Sequence, residues 1–97
     1  MPTTDFEAFR RQALTEGFDE ALERHWPADA VVETHTHPFG VSAVVVQGEM
    51  WLQIGEHIRH LQPGDRFSLA ADEPHAERYG PVGATYWVAR ANRPGAR

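Results

Sequence analysis

Ala30-Val31-Val32-Glu33-Thr34-His35-Thr36-His37-Pro38-Phe39-Gly40 is the stretch on which the reading of this chain turns. Its first half is β-branched and free of breakers, so extended backbone is the expected local state. Side chains two apart on a strand share a face. His35 and His37 then point the same way and form a chelating pair, a borderline ligand set suited to zinc, iron, copper, nickel or manganese. A His-x-His pair alone is a weak signal, because two strand histidines sit equally well on a solvated face. A third donor is needed, and His75, in Glu73-Pro74-His75-Ala76-Glu77, is the candidate.

Outward from this stretch the chain is punctuated regularly. Short apolar or alternating runs (Ala30 to Thr36, Val41 to Gln47, Met50 to Ile54, His57 to Leu61, Arg66 to Ala70, His75 to Tyr79, Ala84 to Arg90) are separated by turn residues. The turns expected between them are Pro38-Phe39-Gly40, Gly48-Glu49, Gly55-Glu56, Gln62-Pro63-Gly64-Asp65, Asp72-Glu73-Pro74 and Gly80-Pro81-Val82-Gly83. Many short strands at even spacing with Gly/Pro turns predict an all-β sandwich or barrel. Val44-Val45-Val46 is apolar on both faces, as in a strand covered on both sides. No sequence repeat or low-complexity tract interrupts the pattern.

Upstream, Thr4-Asp5-Phe6-Glu7 has the form of a capping box, so a short helix should follow, with Phe6, Phe9, Ala13 and Leu14 on one stripe and Gly17 at its end. The segment 18–26 has helical composition but runs straight into Pro27; a strand from about Ala21 is the preferred reading. The domain plan is an N-terminal helix and lead-in over residues 1–27, a β domain over 28–91, and a Pro/Gly/Ala/Arg tail over 92–97 expected to fray.

Ninety-seven residues suit one core and are too few for two. With 14 acidic against 9 basic residues the net charge is -5, and no basic run exceeds Arg10-Arg11, which argues against nucleic acid and anionic membrane as partners. The N-terminus has no leader pattern and no apolar run reaches bilayer length, so a cytoplasmic location is expected. The absence of cysteine excludes disulfides, thiolate metal sites and a thiol nucleophile.

His35-x-His37, then Gly48, then Pro63-Gly64-Asp65, then Pro74-His75, resembles the two half-motifs of the cupin superfamily across residues 28 to 90. The resemblance implies a small antiparallel jelly-roll barrel with the metal inside it. Carried over by position, His35, His37 and His75 match metal ligands, while Gly48, Gly64 and Asp65 match turn positions. The resemblance also implies a divalent transition metal (iron, manganese, nickel or zinc), a small-molecule ligand and a homodimer. One departure stands out: the glutamate of the family's first half-motif falls here on Val41 or Ser42, and neither supplies a carboxylate. Three neutral imidazoles leave a divalent ion its full charge, which favours an anionic, chelating substrate.

Strand alternation marks Glu33 and Glu77 as carboxylates beside the ligands, with Glu77 preferred as the proton-moving group and Tyr79 beyond it as a donor or acid. Phe39, Trp51, Tyr86 and Trp87 either line an aromatic pocket or are core, the latter being commoner. Gln53 either reaches inward or faces solvent. His25, His57 and His60 lie outside the motif and read as surface or packing residues. Two functions remain open: a metal-dependent enzyme of dioxygenase, isomerase or lyase type acting on a small oxygen-rich anion, and a non-catalytic barrel that binds or senses a sugar-like molecule.

Overall fold

The computed structural model describes residues 5–91, which form one helix and six antiparallel strands. Helix α1 spans Phe6–Thr15; the strands are β1 Glu20–Trp26, β2 Val31–His35, β3 Gly40–Ile54, β4 His57–Leu61, β5 Arg66–Leu69 and β6 His75–Ala91. Thr4 and the tail 92–97 lie outside the described residues. Within them, the helix cap is Asp5, whose carboxylate accepts from the Ala8 amide at 2.7 Å, so the cap sits one residue later than the Thr4 box anticipated.

Two expected turns are not chain reversals. Gly48-Glu49 lies inside β3 and Gly80-Pro81-Val82-Gly83 inside β6, each strand continuing through the site where the sequence suggested an end. The ladder between them slips instead, with irregularities between Val45 and Gln47 and between Gly48 and Met50. The two long strands therefore serve two half-sheets. In one, β1 pairs with the second half of β6, which pairs with the first half of β3, which pairs with β5. In the other, β2 pairs with the first half of β6, which pairs with the second half of β3, which pairs with β4. The jelly-roll topology is as expected, but the sheet folds over along a crease and its edges do not close into a continuous barrel. Residues 20–26, placed ahead of the β domain in the sequence reading, pair with β6 along their whole length.

The crease is set by backbone contact. A Cβ on Gly48, whose φ is +76°, would stand 2.1 Å from the Gly83 carbonyl oxygen; one on Gly83, at φ +73°, would stand 2.1 Å from that of Trp26. Three strand backbones thus touch where only glycine fits. The line continues to the β4–β5 turn, where Gly64 donates to the Val45 carbonyl and Val45 donates to that of Asp65.

Between the half-sheets lies the core of Val41, Ala43, Val45, Met50, Leu52, Leu61, Phe67, Leu69, Tyr79, Tyr86 and Val88. Val44 and Val46 face the other way, lining a groove of about 660 Å³ beside α1, whose Phe6 and Phe9 each lie 5.8 Å from the Trp87 ring. Trp87 is therefore covered by the helix, and Trp51, stacked on His60 at 4.6 Å, belongs to the outer face; neither lines the interior. Gln53 is exposed and donates back to the Gly55 carbonyl, which settles its alternative in favour of solvent.

Gly48→Ala should lower unfolding stability in urea by at least about 2 kcal/mol, because backbone must move to admit the methyl group. Gly55→Ala, also at positive φ (+61°) but with open space around it, should cost only about 1 kcal/mol.

Candidate metal centre

The site forms where β2 meets the start of β6, with His35 directly opposite His75 in the ladder. Val32 and His35 both face the interior although they stand three positions apart, because the β2–β6 register slips between them. The same slip turns Glu33 outward into solvent, so the carboxylate expected beside His35 is not at the site. Beyond β2 the chain leaves the ladder, and His37 returns inward packed flat on Phe39, ring centroids 4.3 Å apart.

His35, His37 and His75 come together, with ligating atoms all within 4.8 Å of one another. Each ring is oriented by its own backbone. His35 Nδ1 lies 2.9 Å from the Glu33 carbonyl oxygen, His75 Nδ1 2.9 Å from that of Glu73, and His37 Nδ1 3.3 Å from that of Phe39. A carbonyl oxygen only accepts, so each Nδ1 must carry the proton. In the neutral imidazole that leaves the Nε2 lone pair bare, and the carbonyl bond fixes the ring in the tautomer a metal ligand needs. Burial pulls the pKa of His37 below the ordinary histidine value, outweighing the Phe39 carbonyl, and the two neighbouring imidazoles act in the same direction as burial.

His75 supplies the test of whether these residues fit a metal. It is 1% exposed, and its Nε2 has no hydrogen-bond partner. The nearest charged group is Glu77 Oε2 at 3.4 Å, close enough for an ion pair by distance but not placed as a hydrogen bond. With the His75 proton on Nδ1, two lone pairs face each other across that gap in a buried setting, an arrangement that a cation between or beside them relieves. Donors on one tetrahedral ion stand about 3.4 Å apart, so a bound ion would draw the widest pair together by at most about 1.4 Å. That adjustment would fall to His35 and His37, which are half-buried, and not to the buried His75. The three imidazoles fit a divalent transition ion.

Val41 is buried on the cavity wall and Ser42 pairs with Ser68 and Ala89, so the first half-motif indeed brings no carboxylate. Glu77 comes closest to that role from the opposite strand. It is buried, lines the cavity beside His35 and His37, and accepts a short hydrogen bond from Tyr79 on Oε1. Tyr79, expected as a donor or acid, stands behind Glu77 and not on the cavity wall; its ring stacks on Trp26 at 5.2 Å. Burial, Tyr86 and Glu77 all push its pKa far above the ordinary tyrosine value, so it stays protonated and holds the carboxylate.

The cavity beside the histidines holds about 180 Å³ and is lined also by Arg24, Trp26, Phe39, Tyr86 and Arg90. Trp26 Nε1 donates to the Tyr86 hydroxyl at 3.4 Å. Arg24, Trp26 and Arg90 were not singled out from sequence. The signal was present in the alternation of β1, where Leu22, Arg24 and Trp26 face in while Glu23 and His25 face out, but segment 18–26 carried competing helical composition. His25 pairs with Thr85 on the outer face, and His57 and His60 are exposed, as read.

A family model described as the AraC-like ligand binding domain matches residues 19–90. Among solved structures, the chain is similar to a RmlC-like cupin from Shewanella frigidimarina (TM-score 0.66, 21% identity, covering 78% of this chain and 68% of that one). It is also similar to the DMSP lyase DddQ from Ruegeria pomeroyi (0.70, 24%, 80% and 40%) and to the polyketide cyclase RemF from Streptomyces resistomycificus (0.66, 23%, 84% and 61%). At these identities the likeness is one of fold, and the chain spans well under half of the lyase. No curated protein sequence matches the chain significantly.

Untagged protein titrated with zinc or nickel should bind one ion per chain, and His75→Ala or His35→Ala should weaken that binding by about a hundredfold or more while His57→Ala leaves it intact. The unfolding free energy of the unsubstituted protein should rise by about 2.7 kcal/mol when free metal is at a hundred times its Kd. An equal rise in the His35→Ala protein would place the ion elsewhere.

Proposed function

The chain belongs to the AraC-like ligand-binding domain family, with the cupin fold, and on that premise we propose that it is a metal-dependent enzyme acting on a small, oxygen-rich anion. His35, His37 and His75 hold the ion through Nε2, each kept in register by its carbonyl-bound Nδ1. A divalent ion on three neutral ligands supplies Lewis-acid polarisation of a substrate oxygen and keeps positions open for a chelating anion. The observation that carries the proposal is the buried, partnerless His75 Nε2 beside a buried Glu77.

The chain's own groups divide the remaining work. Glu77 touches the cavity and is the group that takes or returns a proton, its second oxygen being held by Tyr79. Because Tyr79 keeps its proton, it fixes which Glu77 oxygen is free. Phe67, Leu69, Val88 and Val41 line the apolar side of the cavity, which keeps water off the reacting centre and strengthens its electrostatics. Proton transfer of this kind fits isomerase and lyase chemistry directly, and dioxygenation uses the same open positions.

A second reading, a non-catalytic binding or sensing domain for a sugar-like molecule, draws on the family description and on Trp26, Tyr86 and Phe39 in the cavity lining.

The test is a panel of 2-oxo acids, enediols, diketones and sugar acids offered to the metal-loaded protein, followed by product and by calorimetry. Turnover that falls by a factor of about 10² to 10⁴ in Glu77→Gln, with metal content unchanged, is the expected result. Saturable binding with no turnover in any member supports the sensing reading instead, and turnover indifferent to Glu77→Gln removes its assigned role.

A further inference from the structure

Two cations line the cavity, and they differ in one respect. Arg90 has an ion pair with Glu20 at 3.7 Å and lies 4.7 Å over the Phe39 ring, so its charge is already answered. Arg24 has no ion pair among the described residues; its guanidinium lies 5.3 Å over the Trp26 ring and lowers the pKa of Tyr86 against the larger upward push of burial. It sits opposite Tyr86 in the β1–β6 ladder, on the inward face between Leu22 and Trp26, which both pack on the core. An arginine set inward between two core side chains directs its head group along the cavity wall. Arg10, Arg59 and Arg78 by contrast have outward partners, in Glu7, the Arg66 carbonyl and the Trp51 ring.

We propose that Arg24 is a specificity-determining residue that binds a carboxylate at the end of the ligand remote from the histidines. The inference rests on the metal-centre reading above and narrows its substrate class to a dianion: one chelating head directed at His35, His37 and His75, and one terminal carboxylate directed at Arg24. The planar guanidinium matches a carboxylate through paired N–H donors, and the Trp26 ring beneath it restricts the orientations it can take. Charge favours the same partner. Among the described residues the cavity wall carries one carboxylate, Glu77, which is engaged by Tyr79 and faces His75, so no acidic side chain of the wall answers Arg24. The cavity has room for about six waters, which limits the ligand to roughly ten heavy atoms.

Two acids with the same head and the same number of carbons separate the possibilities: 2-oxoglutarate, which ends in a carboxylate, and 2-oxopentanoate, which ends in a methyl group. Cobalt(II)-loaded full-length protein is titrated with each, and the visible cobalt absorption gives Kd. The unsubstituted protein should bind 2-oxoglutarate at least about tenfold more tightly, the scale of one charge-assisted hydrogen-bonded pair. Arg24→Gln should bring the two affinities to within about twofold, with 2-oxopentanoate binding unchanged, which also shows that the variant is folded, and Arg24→Lys should restore part of the preference. Equal affinities in the unsubstituted protein, or a preference that survives Arg24→Gln, overturn the assignment while leaving the metal centre in place. A cobalt spectrum that neither acid perturbs overturns the chelation reading and this inference together.

Discussion

Three backbones meet at the crease of this protein, at Trp26-Pro27, Gly83 and Gly48, closer than any side chain permits. Everything functional depends on that contact. It lets β3 and β6 bend and continue, so that a single pair of strands carries both half-sheets. One half-sheet bears the histidines and Glu77; the other bears Arg24, Tyr86 and Arg90. Folding the first over the second along the glycine line encloses a cavity lined by candidate metal ligands from one half-sheet and by two arginines from the other. Without the bend the same residues would lie spread over one flat sheet.

Within that enclosure the backbone also does the fine positioning. All three ligand rings are aimed by a carbonyl two residues away in sequence: Glu33 for His35, Phe39 for His37, Glu73 for His75. In His35 and His75 the carbonyl precedes the ring; in His37, which lies beyond the end of β2, it follows. Local bonds of this kind need no distant partner to survive small shifts in packing, so the donor atoms stay poised even though His35 and His37 are partly solvent-accessible. The cost is concentrated at His75, whose buried Nε2 lies 3.4 Å from a carboxylate oxygen without a hydrogen bond to it. The lost glutamate of the first half-motif and the buried Glu77 of β6 belong to one account: negative charge is supplied from behind His75 and not from the His35–His37 segment.

Much of this was legible in the sequence. The His-x-His pair, the distant Pro74-His75 and the glycine-marked intervals pointed to the fold and to the three donors. Glu77 was reachable by counting two from His75, because β6 keeps its alternation there. Glu33 failed by the same count, because a register slip between Val32 and His35 reverses the parity and nothing in Val-Val-Glu-Thr-His announces it. Gly48 and Gly80 to Gly83 were rightly marked as special but wrongly as turns: glycine permits a positive φ whether the chain reverses or merely creases, and only the neighbouring strand decides which. Arg24 was hidden by composition, since Glu-Ala-Leu-Glu-Arg favours helix in isolation and pairing with β6 overrides it.

The central claim is that the three Nε2 atoms share one divalent ion. X-ray absorption at the metal edge of zinc- or nickel-loaded protein, purified without a histidine tag, tests it most directly. The account predicts three imidazole nitrogens per ion at about 2.0–2.1 Å, with the imidazole scattering falling to two in His35→Ala. An ion coordinated by oxygen alone, or an imidazole count unaffected by His35→Ala, would contradict it.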